Sequence, residues 1–311
     1  MTRVALLHAA LLVGILGTAL CQAQDAGTNH WAEIAANKYT VQPDVVYGVQ
    51  NNYPLKLDLW TNNSAKSPVP TLIYIHGGGW IYGDRTGTLP FLLPYFERGW
   101  NIVNVEYRMA PVSLAPAAVE DCRCALRWVI RNAKRYNLDA TRIVVSGHSA
   151  GGHLSLTTAL LDPSAGLDVE CPGDEILKVA VVVNWYGISD VADVLAGPNK
   201  KNYAEEWFGS IANRDEIAKK TSPINFVSKN SPPVISIHGD QDDVVPYGNS
   251  VRLHKALDAA GVPNELVTIR GGGHGHFSDS ETLRAFDRVW AFIDAHLPQA
   301  PTASTTPPSG F

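Results

Sequence analysis

A serine with a glycine two residues away on each side stands in the middle of the chain, Gly147-His148-Ser149-Ala150-Gly151. This spacing suits a strained strand-to-helix turn that lifts a hydroxyl into the open, because side chains at the two glycine positions would strike the strand and helix beneath. A serine hydroxyl attacks only when a base takes its proton and a third group orients that base. Both partners occur downstream, each in a loop that follows an apolar strand. Val234 to Ile237 runs into His238-Gly239-Asp240-Gln241-Asp242-Asp243, and Leu266 to Ile269 runs into Gly271-Gly272-Gly273-His274-Gly275-His276. Asp242 is assigned as the acid, with Asp240 and Asp243 as capping or solvated residues. His274, between two glycines, is assigned as the base, and His276 is the competing candidate.

A fourth part lies near the N-terminus. Apolar Thr71 to Ile75 ends in His76-Gly77-Gly78-Gly79-Trp80. Successive glycines leave backbone N–H groups unobstructed, so Gly78 and Gly79, with the amide of Ala150, are assigned as donors to a developing oxyanion. A phosphate cradle would continue as Gly-Lys-Ser/Thr, and Trp80-Ile81-Tyr82 does not. Trp80 and Tyr82 are expected to line a substrate pocket, with simple core packing as the alternative for both. His148 and His153 are expected to pack or hydrogen-bond. The His, Cys and Asp residues outside the triad show no metal-ligand spacing, so neither metal nor other cofactor is expected.

The elements that must position these residues alternate. Buried strands are expected at 71–75, 101–106, 142–145, 179–184, 233–238 and 264–268, with β-branched cores suited to a sheet covered on both faces. Helical spacing covers 116–136, 153–161, 249–260 and 280–297. Such alternation predicts an α/β fold with a mostly parallel central sheet and helices on both faces. Two further strands, Val45 to Tyr47 and Leu55 to Trp60, read as an antiparallel edge. Residues 191–231, with Tyr203, Trp207 and Phe208 among charged residues, are expected to form a small helical insertion over the strand ends, either a lid or surface decoration.

The chain has 311 residues and a formal net charge of −5, with no Lys/Arg run, which argues against a nucleic-acid partner. Residues 1–23 read as a signal peptide: Arg3 in the n-region, an apolar run from Val4 to Leu20, and small residues around Ala23. A secreted or periplasmic protein, with no stable membrane insertion after signal removal, is therefore expected. Residues 24–43 read as an exposed lead-in, 44–298 as one catalytic domain, and 299–311, rich in Pro, Thr and Ser, as a disordered tail. Cys122 and Cys124, two apart on a helix, point away from each other. Cys171 could pair with one of them, and buried free thiols are the expectation. The oligomeric state is not legible.

Together, His76-Gly77-Gly78-Gly79-Trp80, Tyr107-Arg108-Met109-Ala110-Pro111, Gly147-His148-Ser149-Ala150-Gly151-Gly152, His238-Gly239-x-x-Asp242-x-x-Val245-Pro246 and Gly273-His274-Gly275 resemble the α/β-hydrolase esterases over about residues 44–297. The set is closest to bacterial secreted esterases related to feruloyl and acetyl-xylan esterases, and less like the hormone-sensitive-lipase carboxylesterases, which carry a longer N-terminal cap. The resemblance implies the α/β-hydrolase fold, Ser149, Asp242 and His274 as triad, and Gly78, Gly79 and Ala150 as oxyanion donors. It also implies structural ion pairs at Arg108, Glu120 and Asp121, and a small-molecule or polysaccharide-linked ester as substrate. A general short-chain carboxylesterase, an aryl formamidase, a peptidase and a non-catalytic binding module are the competing expectations. An imidazole base stops working once protonated, so kcat/KM is expected to fall as pH drops through roughly 6–7.

Overall fold

The computed structural model describes residues 37–300. The expected signal peptide, most of the lead-in and most of the tail lie outside the described residues. Among the described residues the strands are β1 (Tyr39–Gln50), β2 (Tyr53–Asn62), β3 (Val69–Ile75), β4 (Asn101–Val105), β5 (Leu138–His148), β6 (Val181–Trp185), β7 (Val234–Gly239) and β8 (Asn264–Ile269). They form one sheet in the order β1-β2-β4-β3-β5-β6-β7-β8. β1 and β2 are an antiparallel hairpin, β2 runs antiparallel to β4, and every pairing from β4 to β8 is parallel.

The central strands are apolar throughout because alternate side chains enter two separate cores. On β3, Ile73 and Ile75 face one core with Val103, Val145 and Val182, while Leu72 and Tyr74 face the other with Ile102, Val144 and Val183. The helices that cover the sheet are α1 (Leu89–Glu97), α2 (Ala117–Tyr136), α3 (Ala150–Leu160), α4 (Val191–Leu195), α5 (Asn202–Phe208), α6 (Arg214–Thr221), α7 (Gly248–Ala259) and α8 (Asp279–His296). Residues of α2, α3 and α7 build the first core, and those of α1 and α8 the second. None of the helices among the described residues is long and apolar enough to cross a membrane.

Four differences from the sequence reading have physical causes. β1 begins at Tyr39, so the end of the expected lead-in belongs to the sheet. Tyr39 is buried, and its hydroxyl donates to the carbonyls of Phe96 at 3.2 Å and Trp100 at 3.0 Å. Those carbonyls are at the end of α1 and just past it, and α1 is itself an element absent from the expected helices, with Pro94 inside it. The 191–231 insertion is helical, as expected, but Val191, Val194, Ala204, Trp207 and Phe208 are fully buried and belong to the core, so it is a packed part of the domain. Finally, free thiols are corrected for two of the three cysteines among the described residues: Cys124 and Cys171 are disulfide-bonded, with Cα atoms 5.6 Å apart, and Cys122 is free and buried.

Parallel register brings the C-terminal ends of the middle strands level. Ile75 pairs with Gly147, His148 with Trp185, Trp185 with Ile237, and Gly239 with Ile269. The loops leaving those ends open onto the same edge of the sheet, the usual place for a site in an open α/β sheet.

Candidate active site

Ser149 sits between β5 and α3 with φ 57° and ψ −121°, a conformation outside the regions that ordinary residues favour. The backbone tolerates it because its surroundings leave little alternative. The Ser149 amide donates to the Trp185 carbonyl at 2.9 Å and its carbonyl accepts from His153 at 3.1 Å. A Cβ on Gly151 would lie 2.0 Å from the Ile75 carbonyl oxygen, and one on Gly147 would lie 2.5 Å from the Gly151 carbonyl oxygen. The glycines of the elbow are thus sterically required, as the spacing predicts.

The loops after β7 and β8 bring the other two groups to the serine. His274 Nε2 is 2.8 Å from Ser149 Oγ, and His274 Nδ1 is 2.7 Å from Asp242 Oδ2. The carboxylate can only accept, so Nδ1 carries the ring proton and Nε2 presents its lone pair to the serine hydroxyl. Asp242 Oδ1 accepts from the amides of Val244 at 2.9 Å and Val245 at 2.8 Å, and His238 Nε2 lies 3.1 Å from Oδ2. Burial opposes its ionisation, but the bonds from His238 and His274 and the backbone amide of Val245 outweigh that and hold the carboxyl well below its ordinary range. Asp242 is therefore a charged, fixed acceptor. Asp240 instead accepts from the Gly271 amide at 2.7 Å, and Asp243 is exposed. His276 lines the cleft, with no hydrogen bond to the triad among the described residues.

The glycine loop lies beside the serine. Gly78 has φ 115°, and a Cβ there would sit 1.8 Å from the Tyr82 carbonyl oxygen, so only glycine fits. Its own carbonyl accepts from Ile81 at 3.0 Å and Tyr82 at 3.1 Å, closing a tight turn. Among the described residues the amides of Gly78, Gly79 and Ala150 have no protein acceptor. Gly78 borders the cleft, whereas Gly79 packs against Tyr203.

The cleft over Ser149 has a volume of about 490 Å³ and is walled by Tyr82, Phe91, His148, Tyr186 and His276. Tyr82 is 66% exposed at its mouth. Trp80 is not a pocket residue, which corrects the expectation. It is fully buried, stacked on Trp207 with ring centroids 4.1 Å apart, and its indole N–H donates to His153 Nδ1 at 3.0 Å. With one face against Trp207 and its only donor used, it is core. His153 donates from Nε2 to the Thr221 carbonyl at 2.7 Å, and burial pushes its pKa down to about 4, so it is a neutral link.

Phe91 and Tyr186 are walls that the sequence reading did not single out. Tyr186 directly follows β6, so its place at a strand end is the signal that could have found it; its ring lies edge-on to that of His274 at 4.8 Å. Phe91 belongs to α1 and carries no such signal. Arg108 forms the expected buried ion pair with Asp121, Nη2 to Oδ1 at 2.7 Å, and also meets Glu170. Glu120, beside this pair, is raised to about 7 by burial and then by the charge of Glu170.

Residues 57–257 match the BD-FAE family. Among curated proteins, the chain is 29% identical over 246 residues to Esterase LipC of Mycobacterium tuberculosis, covering 76% of this chain and 60% of that one. It is 30% identical over 263 residues to Esterase LipQ of the same organism, covering 80% of this chain and 60% of that one. The chain thus spans 60% of the length of these relatives. Among solved structures, a truncated form of a carbohydrate esterase from gut microbiota superposes with a TM-score of 0.67 at 28% identity, over 83% of this chain and 97% of that one. A strained serine elbow, a His–Asp pair from the loops after β7 and β8 and a glycine loop beside them accompany that match, and the chain belongs to the BD-FAE family of α/β-hydrolase fold.

Proposed function

We propose that this chain is a serine esterase in which Ser149, His274 and Asp242 form and break an acyl-enzyme. The observation that carries the proposal is the continuous chain Asp242 Oδ2, His274, Ser149 Oγ, with distances of 2.7 and 2.8 Å, next to amides that have no protein acceptor. Ser149 Oγ attacks the ester carbonyl carbon while its proton passes to His274 Nε2. The carbonyl oxygen, now negative, is received by the amides of Gly78, Gly79 and Ala150, and Asp242 stabilises the imidazolium. The C–O bond to the alcohol breaks as that oxygen takes the proton from Nε2. Water then gives a proton to the same nitrogen as its oxygen attacks the acyl carbon, and the bond from that carbon to Ser149 Oγ breaks as Oγ takes the proton back from Nε2, releasing the acid.

The substrate class we propose is a feruloyl or acetyl ester of plant cell-wall polysaccharide. The cleft of about 490 Å³ falls within the range usual for small ligands, and the aromatic rings of Tyr82, Phe91 and Tyr186 offer faces to a feruloyl ring or a sugar. The likeness to a carbohydrate esterase supports the same class. Secretion or export to the periplasm accords with the apolar N-terminal run and with a Cys124–Cys171 disulfide, a bond that persists in oxidising compartments.

The test is release of acetate from acetylated xylan and of ferulate from methyl ferulate by the purified protein. N-formylkynurenine, a peptide and p-nitrophenyl acetate are run alongside. Turnover of either cell-wall ester, several-fold faster in kcat/KM than of p-nitrophenyl acetate, is the expected result. Hydrolysis of p-nitrophenyl acetate alone would leave a general short-chain carboxylesterase, and no turnover of any ester would sink the proposal.

A further inference from the structure

Asp242 has a second histidine on the same oxygen that holds His274. His238 is the penultimate residue of β7, inside the protein with no exposed surface, and its Nε2 lies 3.1 Å from Asp242 Oδ2 and 3.1 Å from the Val245 carbonyl oxygen. Both neighbours can only accept, so Nε2 carries a proton that is shared between them. On the far side of the ring, Nδ1 meets the hydroxyl of Ser250 on α7 at 2.7 Å. The Tyr247 ring closes edge-on over the imidazole at 5.5 Å. The ring is therefore held at both nitrogens and over one face.

We propose that His238 is a positioning residue for the acid of the triad, sharing Asp242 Oδ2 with His274 and so setting how strongly the carboxylate holds the base. The proposal rests on the reading of His274 as that base. Oδ2 accepts from two ring N–H groups at once, at 2.7 Å from His274 and 3.1 Å from His238. Two donors on one oxygen divide its electron density, and the carboxylate is a weaker partner for each than it would be for one. Removing the His238 donor concentrates the charge of Oδ2 on His274 and favours the imidazolium. It also removes one of the contacts that fix the carboxylate in the plane of the base. Two phenols feel the charge of Asp242, Tyr186 after β6 and Tyr203 on α5; both have pKa values raised by burial and then by that charge, so they stay neutral across the tested range.

The experiment follows the ring nitrogens of His274 by NMR in the full-length protein, for the wild type, His238→Phe and His238→Gln. It needs no substrate, so it is independent of whether the protein cleaves esters. The His238→Phe variant keeps the ring volume and loses the donor; its His274 midpoint is expected to rise by about half a unit or more. His238→Gln returns an N–H near the ε position and is expected to restore most of the difference. If the wild type cleaves p-nitrophenyl acetate, kcat for His238→Phe should fall about tenfold, and the acidic limb of kcat/KM should move up with the NMR midpoint. Should His238→Phe not fold, Ser250→Ala frees Nδ1 and lets the ring turn, and a smaller rise of the same sign is expected. An unmoved His274 midpoint in the Phe or Ala variant, or the same change in Phe and Gln variants, would overturn the proposal.

Discussion

The Gly77 amide donates to His148 Nε2 at 3.2 Å, and this single bond joins the glycine loop after β3 to the residue before Ser149. With Nε2 accepting, the ring proton is on Nδ1, which meets the Tyr74 hydroxyl at 2.9 Å. The Phe91 ring stacks on the imidazole at 4.6 Å with a 9° interplanar angle. Burial, and then the neighbouring charges of His76 and His274, push the His148 pKa down to about 4. The ring therefore stays neutral, with its lone pair available to Gly77, at any pH where the triad could act.

Replacing His148 should loosen the amides of the glycine loop without touching the triad. His148→Phe is expected to lower kcat by about 10–100-fold, somewhat less than the outright loss of an oxyanion donor, with KM changed little. His148→Gln, whose side-chain oxygen can reach the Gly77 amide, should recover part of the loss. Steady-state kinetics on p-nitrophenyl acetate measures both, and equal activity in the Phe variant and the wild type would remove the bond from the mechanism.

How much of this is legible from residues alone differs from part to part. Ser149, Asp242 and His274 are legible because each follows an apolar strand and each is bracketed by glycine or a turn, so order along the chain already implies closeness at the sheet edge. Gly78 is legible for a related reason, since it stands in a run of three glycines directly after a strand, and the structure leaves no room there for a side chain. Trp80 is not, because a tryptophan after a glycine loop can face the cleft or the core. Which it does depends on Trp207 and His153, far away in the chain. The same holds for the partner of Cys124: helical spacing excludes Cys122, but only the path of the segment after α3 brings Cys171 to it. Helix α1 escapes because Pro94 interrupts a short, nearly all-apolar run that has no polar face to reveal its period.

The Cys124–Cys171 bond spans 47 residues and neither cysteine lines the cleft over Ser149. Cross-linking a loop of that length restricts the unfolded chain, so Cys171→Ser should lower stability by about 2–4 kcal/mol while leaving kcat/KM within about twofold of wild type. Urea unfolding followed by tryptophan fluorescence gives the first number and ester kinetics the second. A stability unchanged by the substitution would contradict a structural role for the bond.

Glu120 makes stability depend on pH in a stated direction. Its folded pKa is raised from 4.5 to about 7 by burial and by Glu170, so the folded protein keeps a proton that the unfolded chain releases. That contribution is fully present below about pH 4.5 and is lost as pH rises through about 7. Glu120→Gln should therefore change Tm little at pH 4.5 and raise it at pH 8, by the equivalent of about 1–3 kcal/mol. Asp121, raised to about 6 chiefly by burial, leaves a residual slope of the same sign. Thermal unfolding at the two pH values is the check, and an equal shift at both would contradict the assignment.

The most direct measurement is intact-protein mass spectrometry after treatment with diisopropyl fluorophosphate, paired with p-nitrophenyl acetate turnover, for the wild type and Ser149→Ala. A hydroxyl 2.8 Å from an oriented imidazole should take up one phosphoryl group on Ser149, and turnover should stop as the label goes on. Ser149→Ala should take no label and lose about 10³-fold or more in kcat. An unlabelled wild type, or a Ser149→Ala variant that still turns over the ester at the wild-type rate, would contradict Ser149 as the nucleophile.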